Sequence, residues 1–391
     1  MSGTQAVSNS SQQMANLVKQ NATARAMIRA SAVDCVNLVY TTTYTPSGGG
    51  TNVLYITPRP VGLIKGWWLH IKGNINNTGA NPIVPTPWNV ANVLQNIIFN
   101  DIQNYQRINT TGWHLESVNT AKTRRPFGTV FVDTVPIQYG DNFNLIQCPA
   151  VIAPGASGLV EMWYWVPAAY NNGDLRGAIY ANIVNATMQL QVTLNQTPVV
   201  ASANDTTQAV FSGAGATGTW GSVTVELWQN YLDQLPTQNG QVVLPQIDLS
   251  WIYELKNTVL TGLAVNSMFP VTFSNFRNFY SMTLQYDNGG QLNNGTDVTA
   301  IALQSANFTN IYNISPALSK LMWERSLVQT DFPPGTYYLD FRNRPISSVQ
   351  YGNIQVQFTP SVVNAGAQLN VGFEDLGMAN TIIPAGSLPA G

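Results

Sequence analysis

The 391-residue sequence predicts an all-β chain that carries one β domain twice. Three observations lead there. Short runs rich in Val, Ile, Thr and aromatic residues, each closed by Gly, Pro or Asn, follow one another from Val33 onward. Helical periodicity is confined to an N-terminal segment and three short stretches, which favours sandwiches or jelly rolls over alternating βα units. A set of motifs in the first half recurs in the same order in the second.

The first 32 residues stand apart. Ser10 to Gln13 has capping-box spacing, and the segment up to Ala32 holds six alanines after that box without Gly or Pro. Met14, Leu17, Val18, Ala24 and Ile28 fall on one broad helical face, with Arg25 and Arg29 along an edge and Lys19 further round. Two readings stay open: a helix packed on its own domain, or an arm that docks on a neighbouring subunit or a lipid surface.

Strands follow at Val53–Thr57, Trp67–Ile75, Thr129–Val132, Gly158–Val166, Thr187–Leu194, Ser222–Trp228, Ser281–Tyr286, Thr336–Leu339, Ile354–Phe358 and Gln368–Phe373. Ser47-Gly-Gly-Gly50, Asn288-Gly-Gly290 and Pro334-Gly335 read as turns. Thr111–Lys122, Ala168–Ile179 and Pro316–Val328 read as short helices.

The recurrence has four parts. Pro126-Phe-Gly128-Thr129-Val-Phe-Val-Asp133 returns as Pro333-Pro-Gly335-Thr336-Tyr-Tyr-Leu-Asp340. Pro136-Ile137 with Gln138-Tyr-Gly140-Asp141 returns as Pro345-Ile346 with Gln350-Tyr-Gly352-Asn353. Pro149 to Ala156 returns as Pro360 to Ala367, and Asn76-Asn-Thr-Gly79 as Asp287-Asn-Gly-Gly290. The offset stays between 207 and 212 residues, which two copies of one β domain explain. Gly128, Gly335, Gly140 and Gly352 are then the repeat's turn residues. The chain divides into an arm at 1–32, a first domain at 33–242 with a long connection after 166, and a second domain with a C-terminal tail at 243–391.

Only 17 Lys+Arg and 19 Asp+Glu occur, 9% of the chain against about 25% in an average soluble domain. Amides and hydroxyls replace the missing charge. Such a surface packs against neighbours with little charge desolvation, as a subunit among copies of itself requires. A net charge of -2 offers no long-range pull on nucleic acid, so no direct nucleic-acid binding is expected. Cys35 and Cys148 are too few for a disulfide framework. No secretory core follows Met1 and no run of 18 apolar residues occurs, so neither export nor a bilayer span is expected.

No motif in the sequence marks catalytic chemistry. Gly213-Ala-Gly-Ala-Thr-Gly218 matches a dinucleotide fingerprint in letters, but a strand follows where a helix is needed, so a flexible surface loop is favoured. His70 and His114 lack metal-ligand spacing and read as packing or hydrogen-bonding residues. Neither cysteine sits where its thiol would be activated, and no pair of acids stands out. No catalytic, cofactor or metal residue is assigned, and no cofactor is expected.

Several stretches resemble the major capsid protein of the tectiviruses, tailless bacteriophages with a membrane beneath an icosahedral shell. They are Gly112-Trp-His-Leu115 with Val118-Asn-Thr-Ala-Lys122, Trp165-Val-Pro167 with Ala169-Tyr170 and Asp174-Leu175, and Tyr231-Leu-Asp-Gln-Leu-Pro236 with Gln238-Asn-Gly240. Ile247-Asp-Leu-Ser250, Asp287-Asn-Gly-Gly290, Gly295-Thr-Asp297, Thr330-Asp-Phe-Pro333 and Gln350-Tyr-Gly-Asn353 continue the series. The likeness runs from about residue 60 to 373 and is poor before Val33 and after Asp375.

The resemblance implies two eight-stranded jelly rolls in one chain, a double jelly roll, with a short N-terminal helix and a few connecting helices. It also implies homotrimers of pseudo-hexagonal outline that tile an icosahedral shell over an internal membrane. Partners would be further copies, neighbouring trimers and minor capsid proteins, with assembly in the host bacterial cytoplasm. Met14, Leu17, Val18, Lys19, Arg25, Ile28 and Arg29 would meet a neighbour or the viral membrane. An alternative from another class is a carbohydrate-binding, lectin-like β-sandwich whose ten Trp stack on sugars, and a third is a glycoside hydrolase on a jelly-roll scaffold.

Overall fold

The computed structural model describes residues 3–47, 52–123, 147–171, 173–183, 187–201, 209–266, 269–272, 277–292, 296–305, 311–326, 332–333, 335–352 and 354–378. Helix α1, Gly3–Ser31, precedes eight described strands of three residues or more. These are β1 Val33–Tyr44, β2 Val53–Ile56, β3 Leu63–Asn77, β4 Leu94–Asn100, β5 Gln106–Thr110, β6 Ser157–Pro167, β7 Gln189–Leu194 and β8 Gly218–Asp233. Helix α2, Gly112–Thr123, lies between β5 and β6. After the short helix α3, Gln246–Leu249, come β9 Trp251–Leu260, β10 Phe269–Thr272, β11 Arg277–Asp287, β12 Val298–Ser305, β13 Tyr312–Ile314, β14 Thr336–Asp340, β15 Ile354–Pro360 and β16 Gln368–Met378. Helix α4, Pro316–Ser326, lies between β13 and β14.

The first eight strands pair in the orders β1-β8-β3-β6 and β2-β7-β4-β5, and the second eight in the orders β9-β16-β11-β14 and β10-β15-β12-β13. Adding eight to each label of the first set produces the second. The chain is therefore two antiparallel jelly rolls of eight strands each. Alternation builds each core: Trp67, Leu69 and Ile71 of β3 meet Val223, Val225 and Leu227 of β8 inside, while Trp68, His70 and Lys72 take the other face. Met282, Leu284, Val371 and Phe358 do the same inside the second roll.

The two rolls are fused rather than tethered. β5 pairs in parallel with β9 through Ile108–Leu255 and Asn109–Lys256, so one sheet of each roll runs into the other. Tyr253, Leu255, Tyr280 and Leu376 from the second set of strands belong to the first roll's apolar cluster. Helix α2 then lies over the face of β9-β16-β11-β14. His114 rests on Gly372, where an added Cβ would fall 2.1 Å from the ring. Ser117 Oγ reaches Thr283 Oγ1 at 3.4 Å, and Ala121 packs on Tyr338. Trp113 packs at a tilt on Trp88, ring centroids 5.7 Å apart, against Leu292 and Phe332 of the second roll.

A buried ion pair closes this seam. Lys122 at the end of α2 lies 2.7 Å from fully buried Glu374 of β16 and also donates to Tyr253 Oη and the Tyr170 carbonyl. Glu374 accepts further bonds from Tyr253 and Ser281, so both its oxygens are engaged. Burial pulls the Lys122 ammonium below its ordinary value and Glu374 opposes that pull.

Several expectations change. Ser10 to Gln13 lies inside α1, because the helix already runs from Gly3 and nothing breaks it there. The described residues between 168 and 179 form no helix. Ala168 and Ala169 both donate to the Lys65 carbonyl, and Gly177 at φ 87 turns the chain toward α3. The loop at Gly213 is a packed turn before a strand, not a flexible one, since its Ala216 is buried and Gly213 donates to the Val200 carbonyl.

The sequence recurrence is true at one described place and misleading at another. Asn76–Gly79 and Asp287–Gly290 both follow the equivalent strands β3 and β11. Pro149–Ala156 leads into β6, whereas Pro360–Ala367 leads into β16, and these strands occupy different positions in their rolls. The turns themselves are alike. Ala156 N–H donates to the Ala153 carbonyl around Gly155 at φ 72, and Ala367 N–H to the Asn364 carbonyl around Gly366 at φ 80. Each strand enters beside the same end of β3 or β11, at Asn76–Ser157 and Asp287–Gln368, so one turn solves both problems. Gly335 and Gly352 adopt φ 72 and 74 in the second roll, while Gly128 and Gly140 lie outside the described residues.

Three outcomes follow. Gly335→Val forces a branched side chain into the left-handed region and lowers stability by about 1–3 kcal/mol, read from the urea midpoint. An unshifted midpoint would show the turn does not need glycine. Glu374→Ala leaves buried Lys122 without its counter-charge and costs about 3–5 kcal/mol, much of it recovered by adding Lys122→Met. Equal losses in the single and double variants would deny that the two act as a pair.

The third concerns pH. Burial holds His114 down to about 3, against 6.5 when exposed. Its contribution is present above pH 6.5 and lost as pH falls toward 3, by about 1.4 kcal/mol per pH unit. Urea titrations from pH 6.5 to 4.5 should show a shallower decline in His114→Gln than in the parent. Parallel declines would place the acid sensitivity elsewhere.

Candidate assembly surfaces

Helix α1 spends its C-terminal half on its own chain. Asn21 Oδ1 accepts the backbone N–H groups of Ile247 and Asp248, at 3.0 and 3.4 Å, and its Nδ2 donates to Asp248. One turn on, the Arg25 guanidinium grips both oxygens of the same carboxylate, which is fully buried on α3. Ala24 and Ile28 are buried as well, Ile28 among Leu63, Ala169, Leu175 and Ala178. Arg29 donates to the Gly173 carbonyl at 3.3 Å.

The seven residues expected to meet a neighbour or lipid therefore separate. Arg25, Ile28 and Arg29 contact the chain itself, because a buried carboxylate at Asp248 needs a counter-charge and the apolar floor beneath Ile28 needs a cover. Met14 and Val18 stay open, 60% and 54% exposed, with Lys19 exposed and Leu17 half-buried.

The first roll offers a second surface. The face of β1-β8-β3-β6 opposite the core carries half-buried Trp68, Trp163, Trp165 and Trp228 beside exposed Val36 and Leu38. Trp68 and Trp165 lie 4.9 Å apart. His70 stacks on Trp163 at 4.0 Å, held by Glu226 at 3.0 Å and Glu161 at 2.8 Å, and Lys72 adds a pair to Glu161. Aromatic residues on an open sheet face, ringed by paired charges, are the composition of a protein interface.

Nothing in this arrangement resembles a reaction centre. His114 has its Nδ1 on Thr110 Oγ1 at 2.6 Å inside the roll seam. Both cysteines are free thiols, and burial pushes that of Cys148 up to about 12. Among the described residues no group of His, Cys, Asp and Glu is placed to hold a metal ion, and no helix is long and apolar enough to cross a membrane.

Residues 2–235 match the family model described as P3 major capsid protein N-terminal, and residues 250–390 the one described as P3 major capsid protein C-terminal. The chain is 36% identical over 372 residues to the major capsid protein P3 of Enterobacteria phage PRD1, a tectivirus, covering 94% of this chain and 93% of that protein. In fold it is similar to a chain from the atomic structure of Sulfolobus Turreted Icosahedral Virus, with TM-score 0.63 at 11% identity over 88% of this chain and 91% of that one. It is also similar to the major capsid protein P2 of bacteriophage PM2, with TM-score 0.51 at 9% identity over 90% and 99% of the two chains. With matches along nearly its whole length, the chain belongs to the P3 major capsid protein family.

Proposed function

We propose that this major capsid protein works as a homotrimer in which six similar rolls from three chains give a pseudo-hexagonal building block. Such blocks would tile an icosahedral shell above an internal membrane, beside neighbouring trimers and minor capsid proteins. The observation that carries this reading is the identical strand order of the two rolls. A closed ring of three chains has threefold symmetry, and it approximates sixfold only when each chain supplies two like halves. The low charge fits, since amide-rich surfaces are buried against copies with little desolvation.

The reading assigns no catalysis and no nucleic-acid contact to the chain. It keeps the limits 1–32, 33–242 and 243–391 for arm, first roll and second roll. Within the arm, Met14, Leu17, Val18 and Lys19 are the residues left to meet a neighbouring subunit or the internal membrane. Arg25, Ile28 and Arg29 anchor the helix that presents them.

Sedimentation of the purified protein should give about 128 kDa, three times the 42.6 kDa chain, while a stable monomer would refute the trimer. Deleting residues 1–18 should preserve the trimer and the melting curve yet abolish closed shells. Arg25→Ala should instead lower stability by about 1–3 kcal/mol, because Asp248 stays buried without its partner on a half-exposed arginine. A truncation that melts early, or an arginine variant as stable as the parent, would contradict this division of the helix.

A further inference from the structure

The seating of α2 on the second roll is a pattern that α4 cannot repeat within its own chain. Backbone register shows which positions correspond. Ile97 pairs with Thr110 and Ile301 with Ile314, while the first helical bonds run from Leu115 to Thr111 and from Ser319 to Ser315. α2 and α4 thus start at the same point of the same hairpin, a constant 204 positions apart. Leu318 takes the place of His114, and Leu321 that of Ser117. On the sheets, β3 and β11 end in matching turns, so Lys72 corresponds to Thr283, and their partners Thr224 and Gly372 correspond in turn.

In the chain, His114 touches Gly372 and Ser117 touches Thr283. Their counterparts on α4 are open: Leu318 is 44% and Leu321 61% exposed, with Met322 beside them at 44%. The counterpart sheet face, β1-β8-β3-β6, is the one that displays the half-buried tryptophans. A contact within one chain is held by covalent connection and tolerates His and Ser. A contact between chains must also offset lost translational and rotational freedom, and leucines in the places of His and Ser supply more apolar burial for that.

We infer that α4 of one copy seats on the β1-β8-β3-β6 face of a second copy, with Leu318 over Thr224 and Leu321 near Lys72. The contact repeats between chains what α2 does within one. Every adjacent pair of rolls then meets in the same way, and the ring closes on itself. The inference rests on the trimer reading and names the surfaces that reading leaves open.

Thiol cross-linking tests it. In a Cys35→Ser background, the double variant Leu318→Cys with Thr224→Cys is treated with a short bismaleimide and run on a denaturing gel. Covalently joined chains up to the trimer are expected from the double variant and only monomers from either single one. A protein that sediments as a trimer but yields no joined chains overturns this interface and leaves the trimer standing. A parent protein that sediments as a monomer overturns both. Leu321→Asp, on an exposed site, should fold as the parent does and sediment at 42.6 kDa. A trimer that survives it would also refute the inference.

Discussion

The outer face of the sheet β9-β16-β11-β14 has to be covered, and most of the architecture follows from how α2 covers it. The helix leaves the first roll, crosses the second, and ends with Lys122 on Glu374 beneath Tyr253 and Tyr170. Glu374 is fully buried and the Lys122 side chain only 15% exposed, so each charge depends on the other. The small residue Gly372 lets the His114 ring lie on the sheet. With the parallel join of β5 to β9, the seam packs the two rolls directly against each other.

Much of this was legible in the residues, for reasons that can be named. The alternation of Trp67 to Ile75 marked a strand, and the periodicity of Thr111–Lys122 and Pro316–Val328 marked the two helices that follow equivalent hairpins. Duplication was legible too, yet part of its evidence came from a different cause. The Gly155 and Gly366 turns look alike because two non-equivalent strands enter beside the same end of equivalent strands. Turn chemistry reports local geometry, and local geometry recurs wherever neighbouring strands start together.

What stayed hidden depended on distance along the chain. Arg25 and Asp248 are 223 residues apart, and no local pattern ties them. Asn21 and Arg25 look like the solvated edge of a helix until the carboxylate they grip is seen to be buried. The candidate assembly surface was hidden similarly: a strand tryptophan can face the core or the outside, and only the pairing places Trp68, Trp163, Trp165 and Trp228 on one outer face. Among the motifs that carry the family likeness, Gly112–Leu115, Val118–Lys122 and Ile247–Ser250 hold α2 and α3, the elements that lock roll to roll and helix to roll.

The equivalence of the two rolls is tested most directly by averaged electron-microscope projections of the purified protein viewed down its threefold axis. Six lobes of similar size in a near-hexagonal ring are predicted, alternate lobes differing only in detail. Three large lobes, or a particle with no such axis, would contradict the claim that one chain supplies two interchangeable halves.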